Sequence, residues 1–92
     1  MSTYFMFGKY SIEAVKAVSA KRTEKALALI KENGGELNAG YALLGKIDLV
    51  LIVEFPNLQS AMKASVALSK LLLVSFDTLP ALSMTEFDKL LE

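Results

Sequence analysis

The stretch GKIDLVLIVEF at residues 45–55 decides the fold. It opens on a glycine, which favours a turn, and then runs through a segment that is apolar at every position from Leu49 to Val53. A strand of this kind is typical of a sheet interior, where both faces are covered. With the strand period of two, one face carries Ile47, Leu49, Leu51, Val53 and Phe55, and the other carries Asp48, Val50, Ile52 and Glu54.

The segments around this stretch predict three more strands. Residues 36–44 form a second strand that a short connection at Gly45 and Lys46 joins to the strand at 47–55 as an antiparallel hairpin. Residues 3–10 are short, aromatic and apolar, which favours a first strand. Residues 73–84 form the last strand, and Pro80 within it indicates an edge position or a bulge.

Capping residues mark the helices between these strands. Ser11 and Ser19 each precede a helical stretch, and residues 33–35, Asn-Gly-Gly, end the second one. Asn57 caps a helix over residues 58–71, whose inner face is expected to include Ala61, Met62, Ser65, Leu68, Ser69 and Leu72. Thr85, paired with Asp88, is expected to cap a short C-terminal helix.

The element order predicts an α+β, ferredoxin-like βαββαβ domain with an antiparallel four-stranded sheet and a short C-terminal helix. We expect residues 1–92 to form a single domain, because the chain is too short for two. Two helices cover one face of such a sheet, yet both faces of residues 47–55 are apolar. The sequence therefore predicts self-association into a homodimer or larger oligomer, with two sheets forming a barrel-like shell.

The composition excludes several classes of function. Ten basic residues balance ten acidic ones, so the chain lacks the positive surplus of a nucleic-acid or membrane-surface binder. It has no histidine, cysteine or tryptophan, and therefore no thiolate or imidazole for a nucleophile, a zinc site or a haem. We expect no cofactor and no transition metal. The absence of cysteine fits a cytoplasmic protein, and no apolar run is long enough to span a membrane.

A few polar residues are candidates for a binding site. Gly45 and Asp48 frame the hairpin turn, where Asp48 is expected to accept hydrogen bonds from turn amides or to line a ligand pocket between subunits. Arg22 lies in a charged run and is either exposed, paired with a sheet carboxylate, or placed to bind an anionic ligand through its planar fork. Tyr10 and Tyr41 are either core or interface residues, or hydrogen-bond donors in a pocket.

Asp48, Glu54, Ser75 and Asp77 form a second candidate set on one sheet face. Paired carboxylates bind hard cations or exchange protons when they lie close together. The alternative is that they are rim residues at strand ends. Their spacing does not match any metal-ligand pattern. The alternation of side chains along each strand groups Asp48 with Glu54 and Ser75 with Asp77, but it does not set how the two strands are aligned.

The chain resembles the GYD-domain family of the dimeric α+β barrel group over nearly its whole length. The resemblance rests on the aromatic strand from Tyr4 to Tyr10, the turn at 45–50, the segment at 78–81, and further single positions, namely Arg22, Gly34, Gly35, Pro56, Glu86 and Phe87. Ile47 stands where the family usually has tyrosine. The turn is also similar to a hairpin in the effector domains of leucine-responsive regulators, which implies ligand binding at subunit interfaces.

Three functions follow as hypotheses. The first is a non-catalytic oligomeric module that binds a small metabolite or interacts with and stabilises a partner. The second, implied by the resemblance, is a cofactor-independent enzyme, monooxygenase- or isomerase-like, that acts on a small hydrophobic substrate. The third is a structural assembly subunit, which requires a second interface beyond the dimer face. The chain has few of the residue types that commonly act in catalysis, which favours the first hypothesis. An apolar cleft with Tyr or Arg at its mouth would favour ligand binding or catalysis, and a filled barrel would favour structural assembly.

Overall fold

The computed structural model describes residues 1–92 and has four strands and four helices. In chain order these are β1 (Ser2–Tyr10), α1 (Ile12–Lys16), α2 (Ala20–Glu32), β2 (Glu36–Ala42), β3 (Leu49–Phe55), α3 (Leu58–Leu72), β4 (Val74–Ala81) and α4 (Met84–Leu90). No helix has both the length and the apolar character needed to cross a bilayer.

The strands form one antiparallel sheet in the order β2-β3-β1-β4. The predicted βαββαβ arrangement is confirmed, and the apolar strand β3 lies in the interior of the sheet. Pro80 lies in the edge strand β4, as its missing amide hydrogen predicts. Phe5, at the middle of the sheet, is opposite Ile52 of β3 on one side and Leu79 of β4 on the other.

The core lies between this sheet and the helices α2 and α3, which pack against the same face and against each other. Its most deeply buried large side chains are Met6, Val53, Phe55 and Leu68. The Phe55 ring meets the Tyr4 ring edge-on, with 6.1 Å between the ring centroids. Such edge-to-face pairs add to the free energy gained by burial.

Three of the four helix caps agree with the sequence. The side chains of Ser11, Ser19 and Asn57 accept hydrogen bonds from the backbone amides three residues ahead, at the starts of α1, α2 and α3. The prediction for α4 was wrong. Its cap is Ser83, whose hydroxyl accepts from the Glu86 amide at 3.1 Å and donates to the Glu86 carboxylate at 3.0 Å. β4 stops pairing at Ala81, which leaves room for the earlier capping box.

Helix α3 faces the core mainly with small residues, and Met62, which was expected on the same side, is exposed instead. Ala61, Ala64 and Leu68 are buried, whereas the Met62 side chain is 61% exposed. Ala61, Ala64 and Leu68 form the side of α3 that faces the sheet, and Met62 lies outside that arc of the helix. Ser65, which was expected to face inward, does so: its hydroxyl lies 2.8 Å from the Thr78 hydroxyl on β4.

The connection between β2 and β3 is longer than expected. β2 ends at Ala42 and β3 begins at Leu49, so residues 43–48 form a loop in place of a tight turn. β2 also carries an irregularity between Leu37 and Ala39, where its register to β3 shifts. Irregularities of this kind bend a strand at a sheet edge.

The second face of the sheet has no helix on it. The strand register places Phe5, Phe7, Val50, Ile52 and Leu79 on this side, which we call the open face. The Phe5 and Phe7 rings lie 6.2 Å apart there, and the Leu79 side chain is 52% exposed. Phe5, Phe7 and Ile52 are partly exposed on this face, whereas Val50 is buried among its neighbours. The fold therefore leaves partly exposed apolar side chains outside the core between the sheet and the helices.

Gly35 tests how tightly the β2 end of the core is packed. A Cβ at this position would meet the Phe55 ring and lie 3.0 Å from the Glu54 carbonyl oxygen. We expect Gly35→Ala to lower the free energy of unfolding by about 1–3 kcal/mol, measured by urea denaturation. In Gly40→Ala the new methyl meets only the flexible end of Leu51, at 3.2 Å, so this control should change stability by less than about 0.5 kcal/mol.

The Phe55→Leu background gives the decisive comparison, because the smaller side chain makes room for the methyl. There the additional effect of Gly35→Ala should shrink. An equal effect in both backgrounds would show that the ring is not the obstacle.

Candidate functional site

A cleft of about 120 Å³ lies between α2 and the sheet, at the end of β1. Its wall is mainly apolar and comes from every layer of the fold. The lining residues are Tyr10, Ala14, Val18, Ser19, Arg22, Thr23, Ala26, Leu27, Ile30, Leu37, Leu49, Leu51, Leu72 and Val74.

Two of the predicted site residues, Tyr10 and Arg22, meet in this cleft. Tyr10 is the last residue of β1 and falls on the helix-covered face of the sheet. Arg22 lies in the first turn of α2 and is half-buried, so full exposure within its charged run is excluded. The pairing of β1 with β4 places Tyr10, and the cap at Ser19 starts α2 where Arg22, in its first turn, reaches the same cleft.

The Arg22 guanidinium has a backbone partner and no carboxylate partner. Its Nη1 donates a hydrogen bond to the Ala14 carbonyl oxygen at 3.0 Å. The single ion pair of the structure, at 3.5 Å, joins Lys9 and Asp48 instead. The predicted alternative of a salt bridge from Arg22 to a sheet carboxylate is therefore wrong, because the carboxylates of the sheet lie elsewhere. A guanidinium has five N–H donors, so Arg22 retains donors for a further acceptor.

Asp48 ties the β2–β3 loop to the end of β1. Its Oδ2 accepts a hydrogen bond from the Tyr10 amide at 2.9 Å, while its own amide donates to the Gly8 carbonyl oxygen at 2.9 Å. The expectation that this carboxylate binds amides of its own turn was wrong. The last residue pair of the β1–β3 ladder is Gly8 and Leu49. Beyond this pair, the Asp48 carboxylate accepts the hydrogen bond from the Tyr10 amide of β1.

The other two predicted site residues lie outside the cleft. Gly45 is exposed in the loop, and its φ of +131° is a backbone conformation that residues with a side chain rarely adopt. No atom lies within 4 Å of where its Cβ would be. Tyr41 is 59% exposed and lies opposite Val50, on the open face. The structure thus separates the five residues into a cleft pair, a loop pair and one open-face tyrosine.

The candidate carboxylates do not converge. The strand register places Asp48, Glu54, Ser75 and Asp77 on the open side of the sheet, which parity alone had supported only within each strand. However, Glu54 is opposite Thr3 at the far end of β1, about 20 Å along the strand from Asp48. Asp77 is separated from Asp48 by β1, about two strand spacings or 10 Å. No group of three His, Cys, Asp or Glu side chains is placed to hold a metal ion.

Ala14 and the apolar wall of the cleft were not among the predicted site residues. Ala14 is buried in α1, and its carbonyl oxygen positions the Arg22 side chain. The only signal for it was a small residue on the inner side of a short helix. The apolar wall from Leu49, Leu51 and Leu72 was expected as core, and these positions do pack against the core while one side lines the cleft.

The Asp48–Tyr10 contact predicts a specific loss of stability. In Asp48→Ala the Tyr10 amide loses its acceptor in a partly buried place, so we expect unfolding to need about 1–2 kcal/mol less free energy. Asp48→Asn keeps an acceptor oxygen and should lose less. Glu24→Ala, on the exposed side of α2, is the matched control and should be neutral in the same urea titration. Equal stability of Asp48→Ala and Glu24→Ala would contradict the role of this bond.

Comparisons with known proteins agree with this fold. The crystal structure of the leucine response regulatory protein LrpA of Mycobacterium tuberculosis is similar, with a TM-score of 0.60 and 12% identity over 90% of this chain. The chain spans about half of that regulator, 51% of its length, and the likeness concerns the fold alone. A comparison with curated proteins gave no match. The GYD domain model matches residues 4–91, so the chain belongs to the GYD domain family.

Proposed function

We propose that this protein is a homo-oligomeric module that binds a small molecule with an apolar body and a carboxylate group in the cleft beside Tyr10 and Arg22. The observation that carries the proposal is the Arg22 guanidinium, which lies half-buried in an apolar cleft without a carboxylate partner.

The apolar wall sets the size and character of the ligand. An apolar cavity of about 150 Å³ holds a benzene ring, so the cleft of about 120 Å³ suits a body of about six heavy atoms. Leu27, Leu49 and Leu72 would contact it from three different elements. Burial of this apolar surface is the main source of affinity for a ligand of this size.

Arg22 favours a carboxylate as the polar end. Arg22 is half-buried, and its one hydrogen bond to the neutral Ala14 carbonyl leaves the positive charge without an anionic partner. The planar guanidinium matches a carboxylate through two parallel hydrogen bonds. The N-terminus of α2, which is also part of the wall through Ser19, adds positive potential on the same side.

The lining favours binding over catalysis. It includes a phenol, a guanidinium and two hydroxyl side chains, but no carboxylate that would serve as a general base. The Asp48 carboxylate, the nearest candidate through its bond to Tyr10, is held by that amide and by Lys9. A cofactor-independent enzyme and a structural assembly subunit both stay predictions from the sequence.

The open face supports the oligomeric part of the proposal. Its centre is Phe5, flanked by Ile52 and Leu79, and both long helices, α2 and α3, pack against the opposite face. Contiguous apolar surface of this kind marks protein–protein contacts. A second copy presents the same self-complementary surface, so stacking of two open faces buries both.

Benzoate tests the ligand class directly. We expect titration with benzoate to shift the amide NMR signals of Tyr10, Ala14 and Arg22, and benzyl alcohol to bind more weakly. In Arg22→Gln, which keeps a donor for the Ala14 carbonyl, the benzoate dissociation constant should rise at least about tenfold, because the charge-assisted hydrogen bonds to the carboxylate are lost.

The control is Lys25→Gln, which removes a charge from the exposed side of the same helix and should leave the dissociation constant unchanged. Equal benzoate affinity in wild type and Arg22→Gln would overturn the carboxylate assignment. Shifts confined to residues outside the cleft would overturn the site itself.

Sedimentation tests the open face. We expect the wild-type protein to sediment as a dimer or larger assembly at micromolar concentration, and Phe5→Glu to shift it to a smaller one, because the new charge would be buried between two sheets. Leu44→Glu, a substitution at a fully exposed loop position, should not change the assembly. A monomeric wild type would refute the oligomeric part of the proposal.

A further inference from the structure

Helix α4 is amphipathic, yet its apolar side is largely uncovered by the rest of the chain. Met84, Phe87 and Leu91 follow at helical spacing on one side, and these three are 81%, 52% and 73% exposed. No residue of α4 is buried. We call this side the α4 stripe. A short helix with an uncovered apolar side is not stable by its own propensity, so it needs a surface to pack against.

A matching surface lies at the edge of the same fold. α3 and the edge strand β4 enclose a groove of about 170 Å³, with Leu58, Met62 and Val66 along the helix, Thr78 and Pro80 along the strand, and Tyr4 at its base. The three α3 side chains are 55–61% exposed. They recur every four residues, so they form one continuous apolar line on α3.

We propose that the α4 stripe of one copy docks into the α3–β4 groove of a second copy. The two surfaces have similar lengths: Leu58 to Val66 spans about 12 Å and Met84 to Leu91 about 10 Å at the rise of an α-helix. Their charges are complementary. α3 carries Lys63 and Lys70 without an acidic residue, whereas residues 84–92 carry three acidic residues and one lysine.

α4 does not occupy the groove of its own chain, because no α4 residue is part of the groove lining. α4 follows β4 after two residues, so helix and groove are at the same edge of the sheet. A two-fold axis at this edge would place each α4 in the groove of the other copy. The docked helix would also cover the free edge of β4, which is otherwise open to unwanted strand pairing. This contact uses a surface separate from both the cleft and the open face.

Disulfide cross-linking tests the proposal, since the protein has no cysteine of its own. Met62→Cys and Phe87→Cys chains, unfolded together, refolded and oxidised, should give a cross-linked dimer on a non-reducing gel. The matched control pairs Leu44→Cys with Phe87→Cys, because Leu44 is fully exposed on the β2–β3 loop. A yield no higher than that of this control would overturn the proposal.

The double variant Met62→Cys/Phe87→Cys distinguishes the occupants of the groove. Exchange between copies gives a covalent dimer, and a closed monomer would show that α4 folds back onto its own chain, against the proposal. As a second measurement, Met62→Glu and Phe87→Glu should each weaken association at least about tenfold when the open face is already disrupted by Phe5→Glu. Unchanged association in both variants would refute the contact even if a cross-link forms.

Discussion

The whole structure depends on one constraint: a four-stranded sheet whose central strands are apolar on both faces receives helices on one face only. β1 and β3 supply Met6, Val53 and Phe55 to the helix side, and Phe5 and Ile52 to the other. The first set makes the core. The second set lies on the face away from α2 and α3 and stays partly exposed, so it forms apolar surface that favours contact between copies.

Features set by neighbouring residues could be predicted from the sequence. The caps at Ser11, Ser19 and Asn57 depend on an oxygen reaching an amide three residues ahead, and the edge position of Pro80 depends on its missing amide hydrogen. At the start of α4, two pairs of residues fit the capping pattern, Ser83 with Glu86 and Thr85 with Asp88. Only the point at which β4 stops pairing selects the first.

Features set by register and helix rotation could not be predicted. The partner of Asp48 is the Tyr10 amide, which is 38 positions away and becomes adjacent only through the β1–β3 pairing. The predicted apolar face of α3 included Met62 with Ala61 and Ser65, and only the packed helix shows that its buried side consists of Ala61, Ala64 and Leu68. The left-handed conformation of Leu73, with a φ of 56°, has no sequence signal, because glycine usually occupies such a position. The sequence nominated Tyr10 and Arg22, but their meeting in one cleft required the fold.

The hydrogen bond from Arg22 to Ala14 also bears on how the cleft is reached. α1 buries a single side chain, Ala14, and is fastened to α2 through this one bond. Elements with so few buried contacts open locally at a free energy well below that of global unfolding. We therefore expect α1 to act as a hinged flap whose brief detachment admits molecules from solvent. A ligand held by Arg22 would slow amide hydrogen exchange in residues 12–16.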